Sequence, residues 1–168
     1  KKNSSTKDLS LLGNERLYLK NDNKSLFKFP LIRKYSSKNV KFYSFHAGFK
    51  KKDDDLLIAV FKDPVPVAAV YSKTSTPSAP ILWDKKNNKG LCKILIVNAG
   101  NANAHTGNEG IKNINLYVKI AANFFKCKSN QIMVSSTGVI GEQLNYQLIS
   151  NIFLKNKFNK TSDLLSAA

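Results

Sequence analysis

The sequence predicts a fold of the α/β class, and two observations predict it. Residues 93–141 contain two apolar runs that each end in Gly, Asn, Ser or Thr residues, and a helical pattern follows each run. Further apolar runs that are typical of strands precede this region. A buried strand that ends in small polar residues delivers a loop to a working surface. We therefore expect a sheet with both polar loops at one edge.

The first half of the chain is predicted to contain an arm followed by strands. Residues 1–38 show neither the helical nor the strand period, and we interpret them as an irregular basic N-terminal arm with a short helix near residues 9–19. A strand is expected over residues 40–45. Two apolar runs, 56–61 and 67–72, are predicted to form a two-stranded meander, because a segment with two prolines separates them.

The second half is predicted to alternate between strand and helix. The apolar segment that ends at Trp83 can be a strand or a first helical turn, with Trp83 as a core or rim anchor. Apolar spacing then predicts strand 94–97, amphipathic helix 109–125, strand 132–134, a helix over 144–153 and the start of another at 162–168.

The length and composition fit one globular domain. A domain of 168 residues would bury about 70% of its unfolded surface. Cys92 and Cys127 lie at no metal-ligand spacing and are too few for a disulfide framework, so we expect a reducing compartment. No apolar run approaches the roughly 18 residues of a membrane span. We therefore expect a cytoplasmic protein without a membrane partner.

The net charge of +16 raises the question of a nucleic-acid partner. The basic residues are nearly all Lys, with Arg16 and Arg33 as the arginines, whereas base and phosphate recognition draws heavily on Arg. We interpret the charge as a solvated Lys surface set by a base-biased genome, and we expect no nucleic-acid partner. The alternative is a non-enzymatic basic RNA-binding module, whose binding would depend steeply on salt.

The two polar loops lack the common nucleotide and metal motifs. Neither G-x-G-x-x-G nor G-x-x-x-x-G-K-[ST] occurs. His46 and His105 have no Cys or second His at a ligand spacing, so we expect no metal site. The loops instead hold hydroxyl, amide and Gly residues: Asn98, Asn101, Asn103, Thr106, Ser135, Ser136, Thr137 and Gly138.

The segment Ser136-Thr137-Gly138 suits an oxyanion site, and we name it the oxyanion element. Gly lets a backbone N–H approach a reacting carbonyl without a Cβ in the way, and the Thr hydroxyl supplies a second donor. Such a donor contributes about 3 to 4 kcal/mol of transition-state stabilisation. From composition alone, the competing interpretation is that these residues only form turns.

Several ordered blocks resemble the ornithine acetyltransferase, or glutamate N-acetyltransferase, family (ArgJ) of arginine biosynthesis. The blocks are Ala47-Gly-Phe-Lys50, Asp55-Leu-Leu-Ile58, Ala68-Ala-Val-Tyr-Ser72, Ala79-Pro-Ile81, Asn98-Ala-Gly-Asn-Ala-Asn-Ala-His-Thr-Gly107 and Ser135-Ser-Thr-Gly-Val-Ile-Gly-Glu142. They fall in the family's order over about residues 45–150. Agreement of several ordered blocks is far more specific than any one of them.

The resemblance implies the layered α/β sandwich of the ArgJ/DmpA-like type, present only in part. Residues 39–168 would be the N-terminal portion of the acetyltransferase domain, incomplete at its C-terminus. The family's precursor cleaves itself, and the new N-terminal Thr of the second chain is the nucleophile. That Thr lies beyond this sequence, so the 168 residues alone are expected to be inactive.

The resemblance also implies the remaining roles. Thr137 and Gly138 would form the oxyanion hole, and the supporting residues would be Asn98, Asn101, Asn103, Thr106 and Ser136. The substrates would be N-acetylornithine and glutamate, and the partner the C-terminal (beta) chain of the same precursor, in a heterotetramer of two alpha and two beta chains. No cofactor is expected, with acetyl-CoA open as an alternative acetyl donor.

Three positions depart from the family pattern. The family commonly has Ser at the position of Ala99, often Cys at that of His105, and Asn in the block where this chain has Thr74. These differences affect substrate contacts more than the oxyanion pair. A related self-cleaving N-terminal-nucleophile amidohydrolase or aminopeptidase stays open, and it would pass the acyl group to water instead of glutamate.

Overall fold

The computed structural model describes residues 17–18, 30–31, 38–155, 158 and 161–162. The chain divides into two units, Lys1–Tyr35 and Ser36–Ala168. In the first unit, strand β1 (Leu17–Tyr18) pairs antiparallel with strand β2 (Pro30–Leu31). The helix expected near residues 9–19 is therefore wrong at residues 17–18, which form a strand. The other residues of that prediction lie outside the described residues.

The second unit is built on a mixed sheet. Its described strands are β3 (Val40–Phe45), β4 (Leu56–Pro66), β5 (Leu91–Asn101) and β6 (Ile132–Val139), paired in the order β3-β4-β5-β6. The first three strands are antiparallel, and β5 and β6 are parallel. Parallel neighbours need a long crossover, and the helix between β5 and β6 supplies it.

Strand β4 corrects the predicted meander. It runs without a break from Leu56 to Pro66, whereas residues 67–72 form no strand. The register with β5 shifts between Val60 and Val65, so the proline-containing segment forms a bulge and pairing then resumes. The prediction was wrong because a bulge lets a strand continue through residues that would otherwise end it. The partner of β4 on its other side is β3, through the connection at residues 46–55.

Three α-helices, α1 (Ala79–Asn87), α2 (Gly107–Phe125) and α3 (Tyr146–Leu154), and a short 3-10 helix at Ser129–Gln131 complete the described part of this unit. Helix α1 begins with Pro80 in its first turn, where the missing N–H costs nothing, so the segment before Trp83 is helix and not strand. The amphipathic helix predicted over 109–125 and the helix predicted over 144–153 are confirmed as α2 and α3. Ser162 pairs with Phe42 as an isolated bridge and is not helical, and residues 163–168 lie outside the described residues.

All three helices contribute to one core on the same face of the sheet. Buried sheet residues alternate along the strands, as expected when one face is covered, and they include Ile58, Ile94, Ile96, Ile132 and Val134. They form one cluster with residues of α2 and α3 such as Ile114, Tyr117, Val118, Ile149, Ile152 and Phe153. Trp83 of α1 is 5% exposed, which confirms it as a core anchor. None of the helices described is long and apolar enough to cross a membrane.

Candidate functional site

The candidate site lies where β5 and β6 end side by side. Asn98 is paired with Ser136, Ala99 with Thr137, and Gly100 with Gly138, in parallel register. The carboxyl ends of the two strands therefore meet at one edge of the sheet, which confirms the expected position of the two loops.

Both strands extend further than predicted. Residues 98–101 belong to β5, and residues 135–139 belong to β6, although their composition is typical of loops. Pairing between the strands satisfies the backbone of these residues, so tertiary context overrides their low β propensity. The oxyanion element is consequently part of a strand edge.

Buried amide side chains connect the ends of β5 and β6. The Ser136 hydroxyl donates to Asn98 Oδ1 at 2.6 Å, and Asn98 Nδ2 donates to the Asn101 carbonyl at 2.8 Å. Asn101 Oδ1 accepts from the Asn103 N–H at 2.8 Å, and Asn101 Nδ2 donates to the Glu142 carbonyl at 3.2 Å. These bonds tie the end of β5 to β6, to the turn that follows β5 and to the chain after β6.

The same network continues to the start of α2. Thr106 Oγ1 donates to Asn103 Oδ1 at 2.8 Å, and Asn103 Nδ2 donates to the Gly110 carbonyl at 3.1 Å. Asn98, Asn101, Asn103 and Thr106 are all buried, and buried polar groups with partners make a loop rigid. The structure thus brings the predicted supporting residues together, and their side chains are engaged with one another.

Thr137 and Gly138 differ from these supporting residues because both are exposed. Along β6, Ile132, Val134 and Ser136 face the helices, so the alternating Thr137 side chain projects from the opposite face. Among the residues that the structure describes, none forms a hydrogen bond with the Thr137 hydroxyl. Its hydroxyl can therefore donate to a bound group.

Gly138 is held against β5 by main-chain contacts that leave no room for a side chain. A Cβ at Gly138 would lie 2.3 Å from the Gly100 carbonyl carbon and 2.6 Å from the Asn101 nitrogen, and the φ of Gly138 is +128°. Both the space and the conformation require Gly. The position of this residue relative to Gly100 is thereby fixed.

The other candidate groups form no catalytic cluster in the described part of the chain. His46 Nδ1 lies 2.7 Å from the Asp53 carbonyl oxygen, and His105 is exposed beside a cavity of about 430 Å³. Burial raises the pKa of the Cys92 thiol and of the Cys127 thiol, which disfavours the reactive thiolates. The described residues contain no group of three or more His, Cys, Asp or Glu side chains that could hold a metal ion.

Two buried carboxylates were missed by the sequence reasoning. Asp55 is 3% exposed and accepts hydrogen bonds from the loop after β3. Asp84 on α1 is 6% exposed, its Oδ1 accepts from the Val134 N–H at 3.2 Å, and burial raises its pKa to about 6. In the sequence, Asp84 opens a run of polar residues, which does not indicate burial. The only sequence signal was its position next to Trp83.

The fold and this site define an α/β protein that presents a free Thr hydroxyl and a closely packed Gly at the carboxyl edge of a mixed sheet. Its fold resembles that of the Bacillus halodurans arginine biosynthesis bifunctional protein argJ, with a TM-score of 0.69 and 31% identity over 78% of this chain and 68% of that chain. Ornithine acetyltransferase from Mycobacterium tuberculosis, solved in complex with ornithine, has the same fold, with a TM-score of 0.65 and 24% identity over 70% of this chain and 65% of that chain.

A sequence model described as the ArgJ family matches residues 41–167, and the chain belongs to this family. The arginine biosynthesis bifunctional protein ArgJ of Bartonella henselae is 39% identical over 119 residues, which are 70% of this chain and 29% of the relative. The protein of the same name from Bradyrhizobium diazoefficiens is 42% identical over 108 residues, which are 63% and 26% of the two chains. The chain thus spans less than a third of these curated relatives.

Proposed function

We propose that this chain supplies the oxyanion half of the active site of an ornithine/glutamate N-acetyltransferase in arginine biosynthesis. The observation that carries the proposal is the placement of Thr137 and Gly138 at the shared edge of β5 and β6, with the Thr137 hydroxyl exposed and without a partner among the described residues. Donors fixed before the substrate arrives cost little reorganisation during the reaction.

In the first half-reaction, the N-terminal Thr of the C-terminal chain attacks the acetyl carbonyl of N-acetylornithine. The carbonyl oxygen becomes negative, and it accepts hydrogen bonds from the Thr137 hydroxyl and the Gly138 N–H. The carbon–nitrogen bond then breaks, and the proton of the attacking hydroxyl leaves with the amine of ornithine. The acetyl group stays on the Thr as an ester.

In the second half-reaction, the amino group of glutamate attacks this ester. The same two donors hold the negative oxygen again, the bond from carbon to the Thr oxygen breaks, and the amine proton returns to that oxygen. No external cofactor is required for this ping-pong sequence. Acetyl-CoA remains an alternative acetyl donor, because a thioester could acetylate the same Thr.

The proposed partner is the C-terminal (beta) chain of the same precursor, in a heterotetramer of two alpha and two beta chains in the cytoplasm. The lengths of the related proteins support a cleaved precursor. This chain covers 68% of the solved Bacillus halodurans chain but 29% of the Bartonella henselae protein. The solved chain is thus much shorter than that relative, as a precursor cut into two chains would give.

The proposal is tested by assaying acetyl transfer from N-acetylornithine to labelled glutamate. We expect no turnover by the 168 residues alone, and turnover by the full precursor, which supplies the rest of the first chain as well as the C-terminal chain. Turnover by the isolated chain would contradict the assignment of the nucleophile to the partner. Release of acetate without acetylglutamate would instead identify an amidohydrolase.

A further inference from the structure

The Asp55 carboxylate organises the loop that follows β3. Its Oδ1 accepts from the Ala47 N–H at 2.6 Å, and its Oδ2 accepts from the N–H groups of Gly48 at 3.1 Å and Lys50 at 2.9 Å. The Asp55 carbonyl also accepts from the Ala99 N–H of β5 at 2.8 Å. A buried carboxylate with several N–H donors is held firmly, because losing a donor would leave charge unpaired. One residue therefore links the loop at residues 47–50 to the strand beside β6.

The loop at residues 47–50 packs directly against Gly100. A Cβ at Gly100 would lie 2.9 Å from the Phe49 Cβ, 3.0 Å from the Phe49 carbonyl oxygen and 3.1 Å from its carbonyl carbon. These atoms belong to the main chain or are attached to it. The path of the loop backbone, and not the phenyl ring of Phe49, consequently sets this contact.

Gly100 in turn packs against Gly138. A Cβ at Gly138 would lie 2.3 Å from the Gly100 carbonyl carbon and 2.7 Å from its Cα. Three backbone segments are therefore stacked without intervening side chains: Phe49, Gly100 and Gly138. A close-packed stack transmits a displacement of its first layer to its last, since little free space absorbs the movement.

We propose that Asp55 is a positioning residue for the oxyanion element. Its carboxylate fixes the loop at residues 47–50, the loop backbone supports Gly100, and Gly100 sets where Gly138 and the adjacent Thr137 lie. This inference rests on the proposed function, because it assigns Asp55 a role in the rate of acetyl transfer. A displacement well under 1 Å at an oxyanion donor is enough to weaken a transition-state hydrogen bond.

The test uses Asp55→Asn in the two-chain enzyme, with Asp54→Asn as its matched control. Asn offers one acceptor oxygen and places an NH₂ group against N–H donors, so the loop loses part of its anchor. Asp54 is the neighbouring exposed carboxylate. We expect Asp55→Asn to lower kcat about tenfold with KM for N-acetylornithine within about twofold, whereas Asp54→Asn changes neither.

A double-mutant cycle with Thr137→Ala separates positioning from a general structural role. If Asp55 acts through the oxyanion element, Asp55→Asn should lower kcat less in the Thr137→Ala background than it does alone, because residues that act as a unit are not additive and only the Gly138 N–H is then left to displace. The rates are divided by the folded fraction of each variant. If Asp55→Asn does not fold, Asp55→Glu, which keeps the charge and displaces it, replaces it in the same cycle.

The outcomes distinguish this inference from the function on which it rests. An equal loss of kcat from Asp55→Asn in both backgrounds would overturn the positioning role while leaving the oxyanion assignment intact. An unchanged kcat for Asp55→Asn alone would overturn it as well. No effect of Thr137→Ala by itself would overturn both proposals.

Discussion

At the scale of single residues, the site depends on contacts that only Gly permits. A Cβ at Gly138 has no room against Gly100 of β5, and a Cβ at Gly100 has no room against Phe49 in the loop after β3. The hydroxyl and amide groups nearby are useful only because this close approach fixes their positions. Backbone packing is therefore as important to the candidate site as the side chains themselves.

The first prediction concerns Gly138→Ala. Ala at φ +128° is strained, and its Cβ would meet Gly100 at 2.3 Å, so we expect a loss of about 2 to 4 kcal/mol in the free energy of unfolding. The matched control is Gly141→Ala, where φ is +88° but no atom lies within 4 Å of the added Cβ. Denaturant unfolding of the two-chain enzyme checks both.

The difference in the free energy of unfolding between these two variants measures the effect of the steric clash at Gly138. Both pay the cost of a positive φ, whereas only Gly138→Ala forces β5 and β6 apart. Equal losses of stability would mean that the two strands can separate freely at this point, and the close packing of Gly138 would then have no mechanical importance.

Much of the site could be predicted at the residue scale, because Asn, Ser, Thr and Gly after two apolar runs indicate polar groups at one sheet edge. The partners of those groups could not be predicted. Asn98 and Ser136 are 38 positions apart in sequence, and their contact depends on the parallel register. Asp55 ends a run of charged residues in the sequence, and its three N–H donors come together only when the loop folds back.

At the scale of elements, helix α1 covers part of the outer edge of β6. The edge of a strand that nothing covers can pair with another chain. At the edge of β6, the Asp84 carboxylate occupies one such backbone group by accepting a hydrogen bond from the Val134 N–H. Among the described residues, no Lys or Arg forms an ion pair with this carboxylate. Ionised Asp84 is thus buried with one backbone donor and no counter-charge.

The second prediction is that Asp84→Asn makes stability less dependent on pH. Burial raises the folded-state pKa of Asp84 to about 6, above the unfolded value of about 3.9. The folded state therefore binds more protons between about pH 4 and pH 6, and stability falls as pH rises through that window. Asn keeps the acceptor for Val134 and has no charge to bury.

We expect Asp84→Asn to add about 1 kcal/mol near neutral pH and little near pH 4, which is less than the full shift would give because relaxation and nearby water reduce the burial cost. Thermal unfolding across this pH range measures it. Asp63→Asn removes an exposed carboxylate and serves as the control. Equal effects of the two substitutions at every pH would refute the buried-charge explanation.

The helices could be predicted from the sequence more fully than the strands. Helices α2 and α3 could be predicted because their apolar residues recur at helical spacing over two turns or more. Strand β4 could not be predicted in full, since its bulge between Val60 and Val65 is stabilised by pairing with β5. The carboxyl-terminal ends of β5 and β6 could not be predicted either. Their small polar residues form strands only because the neighbouring strand supplies partners for their backbone hydrogen bonds.

At the scale of the whole molecule, the described residues of the second unit form one core, and the ends of β5 and β6 meet at one edge of its sheet. The helices pack on one face of the sheet, whereas Thr137 projects from the other. The proposed C-terminal chain would approach this second face with its nucleophile. We interpret the net charge of +16 as a solvated Lys surface.

The most direct test of the central claim is the kcat of Thr137→Ala for acetyl transfer from N-acetylornithine to glutamate in the two-chain enzyme. Loss of one oxyanion donor should lower kcat by about 10² to 10³, and Thr137→Ser, which keeps the hydroxyl, should retain most of the activity. Unchanged kinetics for Thr137→Ala would contradict the account, because the exposed hydroxyl would then have no role in stabilising the transition state.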